Sequence, residues 1–416
     1  MRVYECETKN LNLSNDDGSN YVRVLSLRKR VTNMIKGYKN SLIYVERKGI
    51  IKTNLSIKNG IIDKIGDDID TDGFEELSDK QILIPGFVDE HIHGAGGSDA
   101  MNGTQKDLET IARFQAMDGT TTFNFTTMTM EKGIIIKALS AINEYLSKEH
   151  EEGARAVGVH LEGPFISTAF CGAQNPGDIL PLNVKDLDDF IAASGDHIKI
   201  ATVCYKKGNE DFAKEMLKHN IAPSLGHSDD TSSEAFDAVK NGFSISSHTY
   251  NAQKGLHHRD VGTLGAMMLS DSVSCELIAD LHHVCADAIR ILYRMKGKDK
   301  IALITDSMEA KGLPDGMYQL GGQPVVVKDG TARLENGVLA GSILHLNEGV
   351  RNVKNVLGIS LEEAIDMATI NPARNLKMEN GIGSIKVGKK ADFAIIDKDV
   401  NVYKTIRDGR LVYSKE

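Results

Sequence analysis

The chain has 416 residues, 41% of them hydrophobic and 26% charged, and a formal net charge of −9; that length holds a barrel-sized domain plus a smaller one. No block of Lys and Arg is dense enough to track a phosphate backbone, so nucleic acid is excluded as the expected partner, and a phosphorylated ligand has to be held by a few placed cations. The five cysteines (Cys6, Cys171, Cys204, Cys275, Cys285) are odd in number and never form Cys-x-x-Cys. With no basic segment before an apolar run at MRVYECETKN and no run near the roughly 20 residues of a membrane helix, the expectation is a cytoplasmic protein with reduced thiols and no membrane association.

Residues 1–40 are polar, with Asn, Asp, Ser and Gly gathered around Asn15–Asn20, and are expected to form an N-terminal extension. From Ser41 the pattern alternates apolar and polar residues, broken at Gly49 and at Asn59-Gly60, the latter a strong hairpin signal. The end of the chain has the same character, with Asp408-Gly409 as its turn. Each terminal piece offers one apolar face, so 41–84 and 386–416 are expected to pair into a small β-sandwich domain.

Between them, over 85–385, short apolar strands alternate with helical stretches. The strands begin at Gln81, Gly119, Ala154, His197, Ile221, Gly242, Ser272 and Asp299, and segments such as GTQKDLETIARFQAMD, NEDFAKEMLKHN and TSSEAFDAVKN read as helices. Eight such strands favour a closed parallel (β/α)₈ barrel of the TIM type over an open sheet.

Five of these strands end in a residue able to coordinate or to transfer protons: His91 and His93, Glu162 after His160, His227, His248 and Asp306. Taken singly, each has a plain structural reading: paired polar residues for the His-x-His, a loop acceptor for Glu162, core or capping histidines, and an N-cap for Asp306. Taken together, at the one barrel face where strand ends converge, they point to a divalent cation held by imidazoles and a carboxylate. Zn²⁺ or a similar first-row ion such as Fe²⁺ suits this set, with a position left open for water. Asp306 is then the proton acceptor for that water and the donor to a departing amine.

The strings LIPGFVDEHIHG, VGVHLEGPFIS, LGHSDD, SHTYNAQKGLHHRDVG, LIADLHHV, LITDSM and VLAGSIL resemble, in order from about Leu42 to the C-terminus, the motif series of the N-acetylglucosamine-6-phosphate deacetylases of the amidohydrolase superfamily. The resemblance implies a metal-dependent hydrolase that removes acetate from an N-acetyl-hexosamine 6-phosphate. It makes Glu162, His227 and His248 the ligands of one ion, with His91 and His93 those of a second position that some members keep. One or two ions per chain follow, with Glu162 bridging in the second case. Asp306 matches the general base and acid. Asn251 and Ala252 resemble residues that meet the phosphate, Arg259 a phosphate-binding Arg supplied across a homodimer, and His283, rather than His282, the substrate-binding His.

Three places depart from the family pattern. Gln174 stands where a His usually helps polarise the acetyl carbonyl; it can donate an N–H there but carries no charge. His345-Leu346-Asn347 replaces the usual Thr-Met-Asp, and YNAQ the usual Phe-Asn-Ala-Met. Two competing readings remain at this level: an amidohydrolase acting on another N-acyl or cyclic amide substrate, and a non-catalytic scaffold.

Overall fold

The computed structural model describes residues 34–415; most of the expected N-terminal extension lies outside them. Eight parallel strands make one sheet in sequence order: β1 (Phe87–Asp89), β2 (Thr120–Thr126), β3 (Arg155–Glu162), β4 (Ile198–Val203), β5 (Ala222–Leu225), β6 (Ile245–Ser246), β7 (Ser274–Ile278) and β8 (Ile301–Ile304). A helix follows each: α1 (Gln105–Met117), α2 (Lys132–Leu146), α3 (Val184–Ser194), α4 (Glu210–Lys218), α5 (Ser232–Lys240), α6 (Gly262–Leu269), α7 (Ala286–Lys296) and α8 (Leu346–Leu357). This is the (β/α)₈ barrel. No helix among the described residues is long and apolar enough to cross a membrane.

The seam between β8 and β1 closes without a strand ladder. The Asp306 N–H donates to the His91 carbonyl at 2.9 Å. The Thr305 N–H and hydroxyl donate to the Asp89 carboxylate at 3.2 and 2.6 Å. Phe87, Phe123, Phe125, Val159 and Leu161 are buried in the core around the helices. The barrel interior carries hydroxyls instead: Thr202 Oγ1 lies 2.5 Å and Ser224 Oγ 2.6 Å from Ser247 Oγ. Such a polar interior is tolerable because its members satisfy one another.

The two chain ends build the small domain around one eight-stranded mixed sheet. Strands Gly37–Val45, Gly49–Lys58 and Ile61–Ile65 from the N-terminal side join Phe393–Ile396, Val402–Arg407 and Arg410–Ser414 from the C-terminal side, through Ile82–Pro85 between them, and the short strand Glu75–Glu76 pairs with Gly37–Val45. The first strand starts at Gly37, four positions before the alternation is visible in the sequence. Asn59-Gly60 and Asp408-Gly409 form the two-residue turns, both residues of each at positive φ, the conformation that selects Asn-Gly and Asp-Gly. Tyr38, Ile43, Leu55, Leu83, Phe393, Ile395 and Ile406 fill this domain's own core. Ile84, Ala394 and Ile396, on the opposite face, pack into the barrel core.

One element was not anticipated. Between β8 and α8, three antiparallel strands (Gly316–Leu320, Gln323–Lys328, Thr331–Leu334) form a flap with its own apolar cluster, Met308, Leu320, Val325, Val327 and Ala340. Gly321-Gly322 and Asp329-Gly330 at its turns, between alternating runs, were the sequence signal for it.

Candidate metal centre

The C-terminal ends of the barrel strands bring six of the expected side chains together. The strand ladder of β1 ends at Asp89, so His91 and His93 leave from the segment just beyond it rather than from within the strand. Glu162 is the last residue of β3. His227, His248 and Asp306 each lie two residues past the ends of β5, β6 and β8, with φ of 45°, 26° and 48°. Left-handed backbone at a non-glycine residue costs about 1–3 kcal/mol and gathers where function over-determines the geometry. Here it turns three side chains from the strand direction onto one centre.

Glu162 is that centre. Its Oε1 lies 2.9 Å from His248 Nε2, 3.3 Å from His227 Nε2 and 3.3 Å from His91 Nε2. Its Oε2 lies 3.3 Å from His93 Nε2. Asp306 Oδ1 stands 3.1 Å from His93 Nε2 and 3.6 Å from His91 Nε2. Two overlapping donor sets result, Glu162–His227–His248 and His91–His93–Glu162.

The chemistry of these donors fits a divalent cation. His227 Nδ1 is 2.9 Å from the Phe170 carbonyl, which can only accept, so a neutral His227 presents its Nε2 lone pair. That lone pair faces His248 Nε2 at 3.1 Å and Glu162 Oε1 at 3.3 Å. Of the ring nitrogens that face Glu162, His91 Nε2 is buried with no hydrogen-bond partner. Lone pairs aimed at one another in a buried space are stabilised by a cation between them, and imidazole plus carboxylate suits a first-row ion.

Around this centre is a cavity of about 180 Å³ lined in part by His93, Glu162, Gln174, Asn251, Ala252 and His283. Gln174 is clamped: its Oε1 accepts from the Thr129 N–H at 2.8 Å and its Nε2 donates to Glu162 Oε2 at 2.9 Å. Gly172, at φ 58°, lets this loop pass His227, where a Cβ would meet the ring at 3.3 Å. His283 Nδ1 lies 2.6 Å from Asp280 Oδ2; His282 instead reaches the flap turn at Gly330. The flap closes the opposite wall through Leu320, and Gln323 bonds the Ala173 carbonyl. Arg259 is outside: exposed, 2.8 Å from His258, and not among the residues that line its own chain's cavity.

Comparison with known proteins places this architecture. The Amidohydrolase family model matches residues 82–412. An N-acetylglucosamine-6-phosphate deacetylase of Lysinibacillus sphaericus is 37% identical over 85% of this chain and 92% of its own length. The crystal structure of such a deacetylase from Thermotoga maritima is 33% identical, with a TM-score of 0.82 over 91% of this chain and 99% of that one. The chain belongs to the N-acetylglucosamine-6-phosphate deacetylase family of amidohydrolases. A further relative, 35% identical over 80% of this chain and 88% of its length, is an N-acetylgalactosamine-6-phosphate deacetylase of Escherichia coli O157:H7.

The centre is strongly polarised. Burial opposes ionisation of Glu162, yet the surrounding His91, His227 and His248 outweigh it and hold its pKa well below the usual range. Burial likewise opposes Asp306, but His91 and His93 bring it down to about 2. His160 goes the other way, to about 3, through burial and the neighbouring His91. Its Nε2 lies 2.6 Å from Thr202 Oγ1 and its Nδ1 3.2 Å from the Glu90 carbonyl, inside the barrel.

Two features of this region escaped the sequence. Glu276, a lone charge within the buried strand β7, lies with Oε2 3.0 Å from His91 Nδ1 and accepts the His248 N–H at 3.1 Å. A carboxylate inside SVSCELIAD was the available signal. The departure at His345 is the second: it faces away from the donor set, 2.6 Å from Asp118 Oδ1, whose Oδ2 is 2.5 Å from the fully buried Lys311.

Proposed function

We propose that this chain hydrolyses N-acetylglucosamine 6-phosphate, or a close N-acetyl-hexosamine 6-phosphate, to acetate and the amino-sugar phosphate. The observation that carries the reading is an anionic Asp306 beside a Glu162-centred donor set, inside a cavity sized for a small polar molecule. Glu162, His227 and His248 would hold one divalent ion, and His91, His93 and Glu162 could hold a second; such an ion would supply Lewis acidity toward a water and the amide carbonyl, and zinc is the ion we propose.

The chain's own residues do the rest. Asp306 takes the proton of the attacking water and returns it to the nitrogen as the C–N bond breaks, because an amine leaves badly as its anion. Gln174 Nε2 donates to Glu162 Oε2 at 2.9 Å and lies 3.5 Å from His227 Nε2; with those two acceptors engaged by a cation, an N–H of Gln174 would be free to donate to the acetyl oxygen as charge develops there. His283, Asn251 and Ala252 line the remaining wall and are the proposed sugar and phosphate contacts. Arg259 completes the phosphate site from a neighbouring subunit in a homodimer, which accounts for its absence from its own cavity. Free Cys171, Cys204, Cys275 and Cys285 support a reducing cytoplasm as the compartment.

Acetate release from a panel of N-acetyl-hexosamines, with and without the 6-phosphate, tests this. Turnover that requires the phosphate is expected. Equal turnover without it would favour a different N-acyl substrate, the reading that the neutral Gln174 makes worth including.

A further inference from the structure

Glu276 touches no part of the cavity, yet one of its oxygens holds both donor sets. We propose that Glu276 is the positioning residue that couples the two metal positions, fixing the tautomer of His91 and the backbone of His248 through the single atom Oε2. This inference rests on the metal-centre reading above.

Four observations carry it. Glu276 is fully buried on β7, next to the strand that delivers His248. Its Oε2 is 3.0 Å from His91 Nδ1, and an ionised carboxylate can only accept, so Nδ1 carries the hydrogen and Nε2 is left as a lone pair. That Nε2 is the buried atom with no hydrogen-bond partner, 3.3 Å from Glu162 Oε1. The same Oε2 accepts the N–H of His248 at 3.1 Å, pinning a residue whose φ of 26° puts it in strained backbone.

The division of labour among the other ligands sharpens the point. His227 has its Nδ1 tied to a backbone carbonyl, Phe170 O, and no bond from Glu276. Only His91 and His248 depend on it, and they belong to different donor sets. A carboxylate behind a metal-bound imidazole orients the ring and raises its basicity, and removing such a partner weakens metal binding about 10–100-fold. Here one removal reaches both positions.

Amide replacement cannot reproduce the arrangement without cost. Glu276 Oε1 is itself buried without a hydrogen-bond partner. In Glu276→Gln the NH₂ group either takes that place as an unmet donor or takes the Oε2 place and faces two donors.

The test is zinc affinity of metal-stripped, full-length protein by competition with a chromogenic chelator, for wild type, Glu276→Gln and Glu276→Asp. The visible spectrum of the cobalt-loaded proteins is the second readout. Glu276→Gln is expected to bind zinc about 10–100-fold more weakly, with shifted cobalt bands; Glu276→Asp, which keeps the charge but withdraws it by one methylene, falls between. A merely structural role would lower the melting temperature of the metal-free protein and leave the affinity and spectrum of the folded fraction as in wild type. That result in both variants would overturn the proposal, and the aspartate variant carries the test if the amide variant does not fold. Wild type that takes up no zinc would remove the metal-centre reading itself, and this inference with it.

Discussion

Two buried clusters of charge in this chain obey opposite rules. Around Asp118 every group has a partner: Lys311 Nζ is 2.5 Å from Asp118 Oδ2 and 2.7 Å from Gln115 Oε1, His345 Nδ1 is 2.6 Å from Asp118 Oδ1, and the Leu346 N–H adds a bond at 3.3 Å. Around Glu162, His91 Nε2 has none, and the Nε2 atoms of His227 and His248 face each other at 3.1 Å. A complete network ties elements together; an incomplete one, held in place by strained backbone, is arranged for something that binds. Buried charge alone therefore does not mark a functional site, whereas unspent lone pairs converging on one point do.

The largest expected effect is at the open cluster. Asp306→Asn keeps the shape and removes the proton acceptor, so turnover should fall about 10²–10⁴-fold while metal content by mass spectrometry stays at the wild-type level. Turnover persisting at the wild-type rate would take Asp306 out of its role.

The closed cluster should answer in stability. Lys311→Met leaves Asp118 buried without its main counter-charge and should cost about 3–5 kcal/mol, read from denaturant unfolding, with zinc affinity retained. A loss of zinc binding at unchanged stability would erase the distinction between the clusters.

Gln174→His is expected to change kcat/KM about tenfold or less and to add a titrating limb near the ordinary imidazole pKa to the wild-type pH profile. An unchanged profile would place Gln174 away from the reacting carbonyl.

The smallest effect is pH-dependent. The Asp118 carboxylate raises the pKa of His345 above its ordinary value, with burial opposing it. A raised folded-state value gives stability that is fully present below about pH 6.5 and lost as pH rises through the folded pKa. For Asp118 burial works against the charge, but Lys311 and His345 hold it at about 2, so its contribution is present above about pH 3.9 and lost as pH falls toward 2. The stability gap between wild type and His345→Asn should therefore be about 1 kcal/mol at pH 5.5 and shrink in alkali. A gap that grows with pH would contradict the assignment.

Much of this was legible in the sequence, for physical reasons. Barrel strands are short apolar runs punctuated by helical periodicity, and Asn59-Gly60 and Asp408-Gly409 are turns that few other residues can make. The donor set was legible because His and Glu at the ends of apolar strands are costly unless used. What stayed hidden depends on side-chain direction. The sequence cannot show that Glu276 points at His91 and His248 and not into the helix layer. Nor does it show that His345, within a family motif, completes a lock around Asp118. The flap escaped because its two glycine turns sit in a stretch with no helix to pair with.

The most direct test is a crystal of zinc-soaked protein with anomalous scattering measured at the zinc edge. A peak bounded by Glu162 and the Nε2 atoms of His227 and His248, with a second beside His91 and His93, is the predicted result; a flat map there, with zinc bound elsewhere or nowhere, would contradict it.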